Sequence, residues 1–213
     1  MKRKGFSLLE VLIALAIVGL ILVAMNAFVF SMGELWGRNA DVRLFDQHVR
    51  AVSRFLQREL NAAALPPYAA ANATPIGIQQ ITPSSGAEDN LITFELTAGS
   101  RILTWPDRPL PEVVCSLQAR PGEGLILLWH SRLETNFTSD PPREVVVTPF
   151  VSAMTYDYFD SDFNRWTTET ILRKDSNGNT LPPQRLRLTF TYGKMHRDSL
   201  ITLLSTPQGL PNP

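Results

Sequence analysis

From Phe6 to Phe30 the chain is apolar at nearly every position, and of these 25 residues only Glu10 carries a charge. A helix of that length is about 37 Å long at ~1.5 Å per residue, enough to cross a hydrocarbon core of ~30 Å. The pattern predicts a single membrane span, mildly interrupted by Gly19 and Asn26. Past Phe30 the pattern changes. Gly33 and Gly37 weaken the helix locally, and Trp36 stands where an interfacial aromatic belongs. From Val42 onward apolar residues recur as Val42, Phe45, Val49, Val52, Leu56 and Leu60. Steps of three and four draw one stripe along an amphipathic helix, read here as core-facing. Pro66-Pro67 stops it. One helix from about Phe6 to Leu65, roughly 90 Å long, is expected.

Residues 66–90 read as a linker, punctuated by Pro66, Pro67, Pro75, Pro83 and Gly86, with one short apolar piece at Ile76 to Ile81. Beyond it the period shortens to two. Leu91 to Leu96, Val113 to Ala119, Leu125 to His130, Glu144 to Val147 and the alternation Met154, Tyr156, Tyr158 predict strands. The clearest is Arg185 to Tyr192, with Leu186, Leu188, Phe190 and Tyr192 inward. Leu200 to Leu204 is expected to follow a turn near His196-Arg197-Asp198. Asn177-Gly178 predicts a type I′ hairpin tip at Ser176 to Asn179. Many short strands with no second long helix predict an α+β fold, a long N-terminal helix packed on antiparallel sheet.

Length allows one anchor and one globular domain. The formal charge is zero, and no basic patch suggests nucleic acid. Cys115 is the single cysteine, so no internal disulfide is possible; a buried thiol is expected.

Glu10 needs a reason. A carboxylate inside a span costs on the order of 2.5–3.5 kcal/mol on insertion scales. Before it stand Lys2, Arg3, Lys4 and Gly5, then Phe6-Ser7-Leu8-Leu9. An ordinary secretory signal fits poorly: Glu10 is misplaced in an apolar core region, the run is too long, and no Ala-x-Ala site follows. Lys-Gly-Phe-Ser-Leu-Leu-Glu instead resembles the processing signature of type IV pilins and of the pseudopilins of type II secretion. The resemblance implies that a membrane peptidase, the prepilin peptidase, cuts between Gly5 and Phe6 and methylates the new amine of Phe6. It also implies that Glu10 meets the Phe6 ammonium of a neighbouring subunit, fixing axial register. Loss of Met1–Gly5 would leave 17 basic against 20 acidic residues, a net charge of about −3. On this reading 1–5 is a leader, 6–30 the membrane half of the helix, 31–65 its amphipathic half, and 66–213 a periplasmic β-rich domain.

Within that class, Met154-Thr155-Tyr156-Asp157-Tyr158-Phe159-Asp160, Trp166, and Leu181-Pro182-Pro183-Gln184-Arg185-Leu186-Arg187-Leu188 resemble the J-type minor pseudopilins, as does Leu56-Gln57-Arg58-Glu59-Leu60. The match covers about a third of the globular part, and PilW-like minor pilins of type IV pili share several of its features. Phe6 to Leu65 holds no proline, and the C-terminal cysteine pair of many major pilins is missing. Both depart from major pilins. Glu10 departs from the K-type tip pseudopilins. The resemblance implies a structural role near a pseudopilus tip in the inner membrane, N-terminus cytoplasmic. The implied partners are other minor pseudopilins, the inner-membrane assembly platform and membrane lipid, with no cofactor.

Candidate chemistry in the globular part is thin. Asp160-x-Asp162-x-Asn164 has a calcium-loop spacing, but Arg165 and Ile171 stand where glycine and glutamate belong. A solvated turn is expected there. His48, His130 and His196 could be drawn into a triad with Cys115 and Asp157, yet no nucleophile signature surrounds Cys115, and no catalysis is expected. Trp105, Trp129, Phe137, Phe163 and Trp166 are candidate contact aromatics. The rival reading of another class is a membrane-anchored periplasmic binding or enzymatic domain.

Overall fold

The computed structural model describes residues 7–63, 75–84, 86–100, 102–103 and 110–203, with the backbone alone at 34–39. The chain divides into two compact units, Met1–Asp46 and Gln47–Pro213. The predicted α+β architecture is observed: one long helix followed by antiparallel sheets.

In the first unit, helix α1 begins (α1 spans Leu8–Asn61). Its segment Leu8–Gly33 is long and apolar enough to cross a membrane, and its large side chains, among them Leu12, Leu15 and Phe28, are exposed. That fits a lipid-facing helix, since an apolar face needs an apolar medium. Asn26 turns its Nδ2 back onto the carbonyl of Leu22 at 3.1 Å, which satisfies its amide within the helix.

In the second unit the remainder of α1 buries Val49, Val52, Leu56 and Leu60. Burying one such side chain contributes roughly 1.5–3 kcal/mol. The helix ends at Asn61, before the prolines. Its last turn tightens: the Ala62 amide is shared between the Arg58 and Glu59 carbonyls, and Ala63 bonds Leu60. The predicted end at Leu65 lies outside the described residues.

Among the described residues nine strands follow: β1 Ile76–Ile81, β2 Asp89–Leu96, β3 Val113–Arg120, β4 Gly124–Ser131, β5 Arg143–Thr148, β6 Val151–Asp160, β7 Arg165–Glu169, β8 Arg185–Tyr192 and β9 Met195–Thr202. They form a five-stranded sheet, β1-β2-β3-β4-β5, and a four-stranded sheet, β7-β6-β8-β9, with every pairing antiparallel. In the first, the core face carries Ile92, Phe94, Val113, Cys115, Leu117, Leu127 and Trp129. In the second, Tyr156, Tyr158, Leu186, Leu188, Phe190 and Ile201 are buried. The helix is pinned to both sheets. His48 Nε2 lies 2.8 Å from Thr148 Oγ1, and Ser53 Oγ lies 2.6 Å from Ser199 Oγ. The Gln57 amide accepts from the Thr202 N–H and donates to its carbonyl, both at 3.0 Å, closing the end of an edge strand with a side chain.

Five details differ from expectation. Tyr192, read as inward, is 46% exposed at the end of β8. Ile76–Ile81, read as a piece of linker, is strand β1, paired along its length with β2. It is an edge strand with only Ile76 fully buried, so its apolar signal is short. His196-Arg197-Asp198 lies inside β9, not in a turn; the chain reverses at Gly193-Lys194, between paired Tyr192 and Met195, with Gly193 at φ +59°. The outer residues of β9 are exposed and polar, and pairing with β8 decides their conformation. Strand β7 carries no inward alternation that would announce it. Finally, Asn177-Gly178 closes a lone bridge, Lys174 to Thr180, rather than two full strands, and only Gly178 has a positive φ, so the turn is not type I′.

Candidate functional site

The N-terminal end of α1 holds the one charged group of the span. Ser7 precedes the helix, and Glu10 sits in its first turn. The Ser7 amide donates to Glu10 Oε2 at 3.3 Å, the Ser7 hydroxyl reaches the same oxygen at 3.4 Å, and the Glu10 amide donates to Ser7 Oγ at 3.3 Å. This is a capping box: Ser and Glu three apart satisfy each other's backbone amides where the helix leaves donors unpaired. The carboxylate also faces the positive end of the helix dipole. A polar group at the edge of an apolar segment thereby keeps hydrogen-bond donors that water would otherwise supply. Sequence reading assigned Glu10 but not Ser7, although the Ser-x-x-Glu spacing was there to be read. Gly5 and Phe6 lie outside the described residues. A carboxylate so placed can pair with a cation in an apolar environment.

The other candidates are structural. Asp160 Oδ1 accepts the amides of Asp162 (3.1 Å) and Phe163 (3.3 Å), and Asn164 has φ +48°, so the spacing that suggested calcium is the β6–β7 hairpin turn. Among the described residues no three His, Cys, Asp or Glu side chains are grouped to hold a metal. Asp175 takes the amides of Asn177 and Asn179, both at 2.8 Å, and its carboxyl is held below the usual range by those bonds. Cys115 is buried and free, its thiol pushed well up by burial and then by the charge of Glu59. Because Val114 pairs with His130 and Cys115 with Trp129, Cys115 and His130 point to opposite faces of the sheet. His48 bonds Thr148, His196 lies against Thr191, and Asp157 bonds Thr168 and Arg187, so each of these side chains has a partner other than Cys115.

Three of the segments that resemble minor pseudopilins lie on neighbouring strands. Met154–Asp160 lies in β6, Trp166 in its neighbour β7, and Arg185–Leu188 in its other neighbour β8. Asp157 is the centre. It is buried and accepts from Thr168 Oγ1 at 2.7 Å and Arg187 Nη2 at 3.0 Å. The Gln184 amide donates to its carbonyl, and Gln184 Oε1 accepts from the Phe159 amide. Tyr158 OH donates to the Leu181 carbonyl and accepts from the Arg173 amide. Nothing in the alternation around Asp157 announced a buried carboxylate, since it sits at an outward position of β6.

Of the candidate contact aromatics, Trp129 is buried beneath the Arg143 guanidinium, and Trp166 is half-buried beneath that of Arg185 at 3.8 Å. Phe163 is the exposed one, at 70%. Trp105 lies outside the described residues.

Residues 1–26 match the family described as the prokaryotic N-terminal methylation motif. This supports a type IV pilin-like protein, pilus or pseudopilus, with a processed N-terminus and a membrane-anchoring helix. No curated protein and no solved structure matches the chain.

Proposed function

We propose that this chain is a structural minor pseudopilin of a type II secretion system, built in near the pseudopilus tip to help move folded proteins across an outer membrane. The observation that carries the reading is the methylation motif on residues 1–26, followed by an apolar span with Glu10 as its only charge. In this proposal the peptidase cuts after Gly5 and methylates Phe6. The domain then lies outside the cytoplasm, and the Glu10 carboxylate exchanges its Ser7 partners for the Phe6 ammonium of a neighbouring pseudopilin. Unpaired charges in apolar surroundings are costly, so the exchange favours one register between subunits. The chain itself performs no catalytic step and takes no cofactor. What supports the J-type assignment is that its resembling residues touch one another: Arg187 donates to Asp157, the Phe159 amide donates to Gln184, and Trp166 lies against Phe159 and under Arg185.

The test is co-purification from membranes. Glu10→Ala should leave leader removal largely intact and reduce recovery of other minor pseudopilins with the chain. Undiminished recovery would count against the role given to Glu10. Recovery with pilus subunits alone would move the assignment to a PilW-like minor pilin.

A further inference from the structure

The face of the five-stranded sheet opposite Cys115 carries a cleft of about 610 Å³. Its floor is Val114 and Ser116 of β3 with Leu128 and His130 of β4. One wall is the end of β1 and the chain after it, Gln79 to Ser84; the other is Phe137 to Pro142. The walls meet where Ser84 Oγ donates to the Pro142 carbonyl at 3.3 Å. Both walls are stiffened by proline, Pro83 in one and Pro141-Pro142 in the other. Ile81 packs on buried Leu91, Ile126 and Leu128, which fixes the first wall to the sheet. The second is fixed by Glu134, which accepts from Arg143 and the Ser131 amide and lies 3.5 Å from His130 Nε2. The volume is within the ordinary range of small-ligand sites, roughly 300–1,000 Å³.

The lining excludes several ligand classes. No described lining residue is Lys or Arg, so an anion finds no counter-charge. The one lining carboxylate, Asp140, is exposed and already takes the Asn136 amide, which is too little for a cation. The Phe137 ring lies against His130 at 4.7 Å and beneath the Arg132 guanidinium at 5.2 Å, so it offers no free platform for a nucleobase. What remains is neutral and polar. Gln79, Thr82 and Thr138 line the cleft with exposed side chains that have no hydrogen-bond partner among the described residues. Amides and hydroxyls both donate and accept. Set over a floor that mixes Val114 and Leu128 with Ser116, they match a molecule with hydroxyls on its rim and C–H on its faces.

We propose that this cleft binds a neutral glycan, one or two sugar units long. The proposal does not depend on the role of the membrane helix.

The test uses the full chain in phosphocholine micelles, which carry no sugar headgroup. Cellobiose and the β1,4-linked dimer of N-acetylglucosamine are titrated by calorimetry, beside digalacturonate and a neutral proline-rich peptide. At least one neutral disaccharide should saturate the chain. The Gln79→Ala/Thr138→Ala double variant, both sites exposed and unbonded to the rest of the fold, should bind it about tenfold more weakly, as loss of two neutral hydrogen bonds implies. No saturation by either neutral disaccharide overturns the proposal, as does unchanged affinity in the double variant. Saturation by digalacturonate or the peptide alone does so too, assigning the cleft to an anion or to an extended chain.

Discussion

Ser7 and Glu10 hold each other across the first turn of α1, the serine amide and hydroxyl on the carboxylate and the glutamate amide on the serine oxygen. In water such a cap is worth about 1 kcal/mol. Ser7→Ala should therefore open the first turn about fivefold more often. Hydrogen exchange in micelles would show this as lost protection at Glu10, with Gln57 unaffected. Equal protection at Glu10 in both proteins would mean that the cap is not formed.

Two glycines of the β3–β4 turn separate conformational strain from collision. Gly122 (φ +82°) has open space where a Cβ would stand. At Gly124 (φ +96°) the same atom would lie 2.1 Å from the Thr148 carbonyl oxygen and 2.6 Å from Pro149 Cα. Gly122→Ala should cost only the left-handed penalty, about 1–2 kcal/mol. Gly124→Ala must also move the backbone joining β5 to β6, and should cost on the order of 3 kcal/mol or more. Chemical denaturation of the two variants gives the comparison, and equal losses would contradict the packing described at Gly124.

Asp157 ties three strands together through Thr168 and Arg187. Its side chain is 2% exposed, while that of Arg187 is 33% exposed. Arg187→Ala leaves a buried carboxylate with one side-chain partner and should lose roughly 1–3 kcal/mol. Asp157→Asn in that background should recover part of the loss, since the uncompensated charge is gone. A double-mutant cycle with no coupling would refute the pairing.

Glu134 makes the wall of the cleft sensitive to acid. Burial alone would raise its carboxyl, but the hydrogen bond from Arg143, the Ser131 amide and the charges of Arg143 and His130 hold it below its ordinary 4.5. A folded value below the unfolded one means stability fully present above about 4.5 and lost as pH falls through the folded value. Wild type should exceed Glu134→Gln by about 1–2 kcal/mol near neutrality. The difference should shrink as pH falls through the folded value. A gap that stays constant with pH would exclude this carboxylate as the titrating group.

Elements buried on one face were legible in the sequence. Leu186, Leu188 and Phe190 alternate against polar neighbours, and the observed β8 has the predicted bounds. The helix stripe at Val49, Val52, Leu56 and Leu60 was equally plain, because each position meets the same core. Strands β1 and β7 and the first half of β9 were hidden because they sit at sheet edges with few buried side chains, so backbone pairing sets their conformation. Edge strand β5 stayed legible through its β-branched run Val145-Val146-Val147. The contribution of Gln57 could not be read either, since its partners are main-chain atoms of Thr202, 145 residues away. At the N-terminus the reverse held. The roles proposed for Gly5, Phe6 and Glu10 rest on local order in the chain, so a linear motif carries most of the information, and residues 1–26 match one.

The proposed assembly requires a new amine on Phe6, four residues before Glu10. The most direct measurement is mass spectrometry of the N-terminal peptide from cells with an active prepilin peptidase. The expected product begins at Phe6, lacks Met1–Gly5 and carries one added methyl on its amine. A chain that still begins with its basic leader, Lys2-Arg3-Lys4, in those cells would contradict the account and leave α1 as a plain anchor.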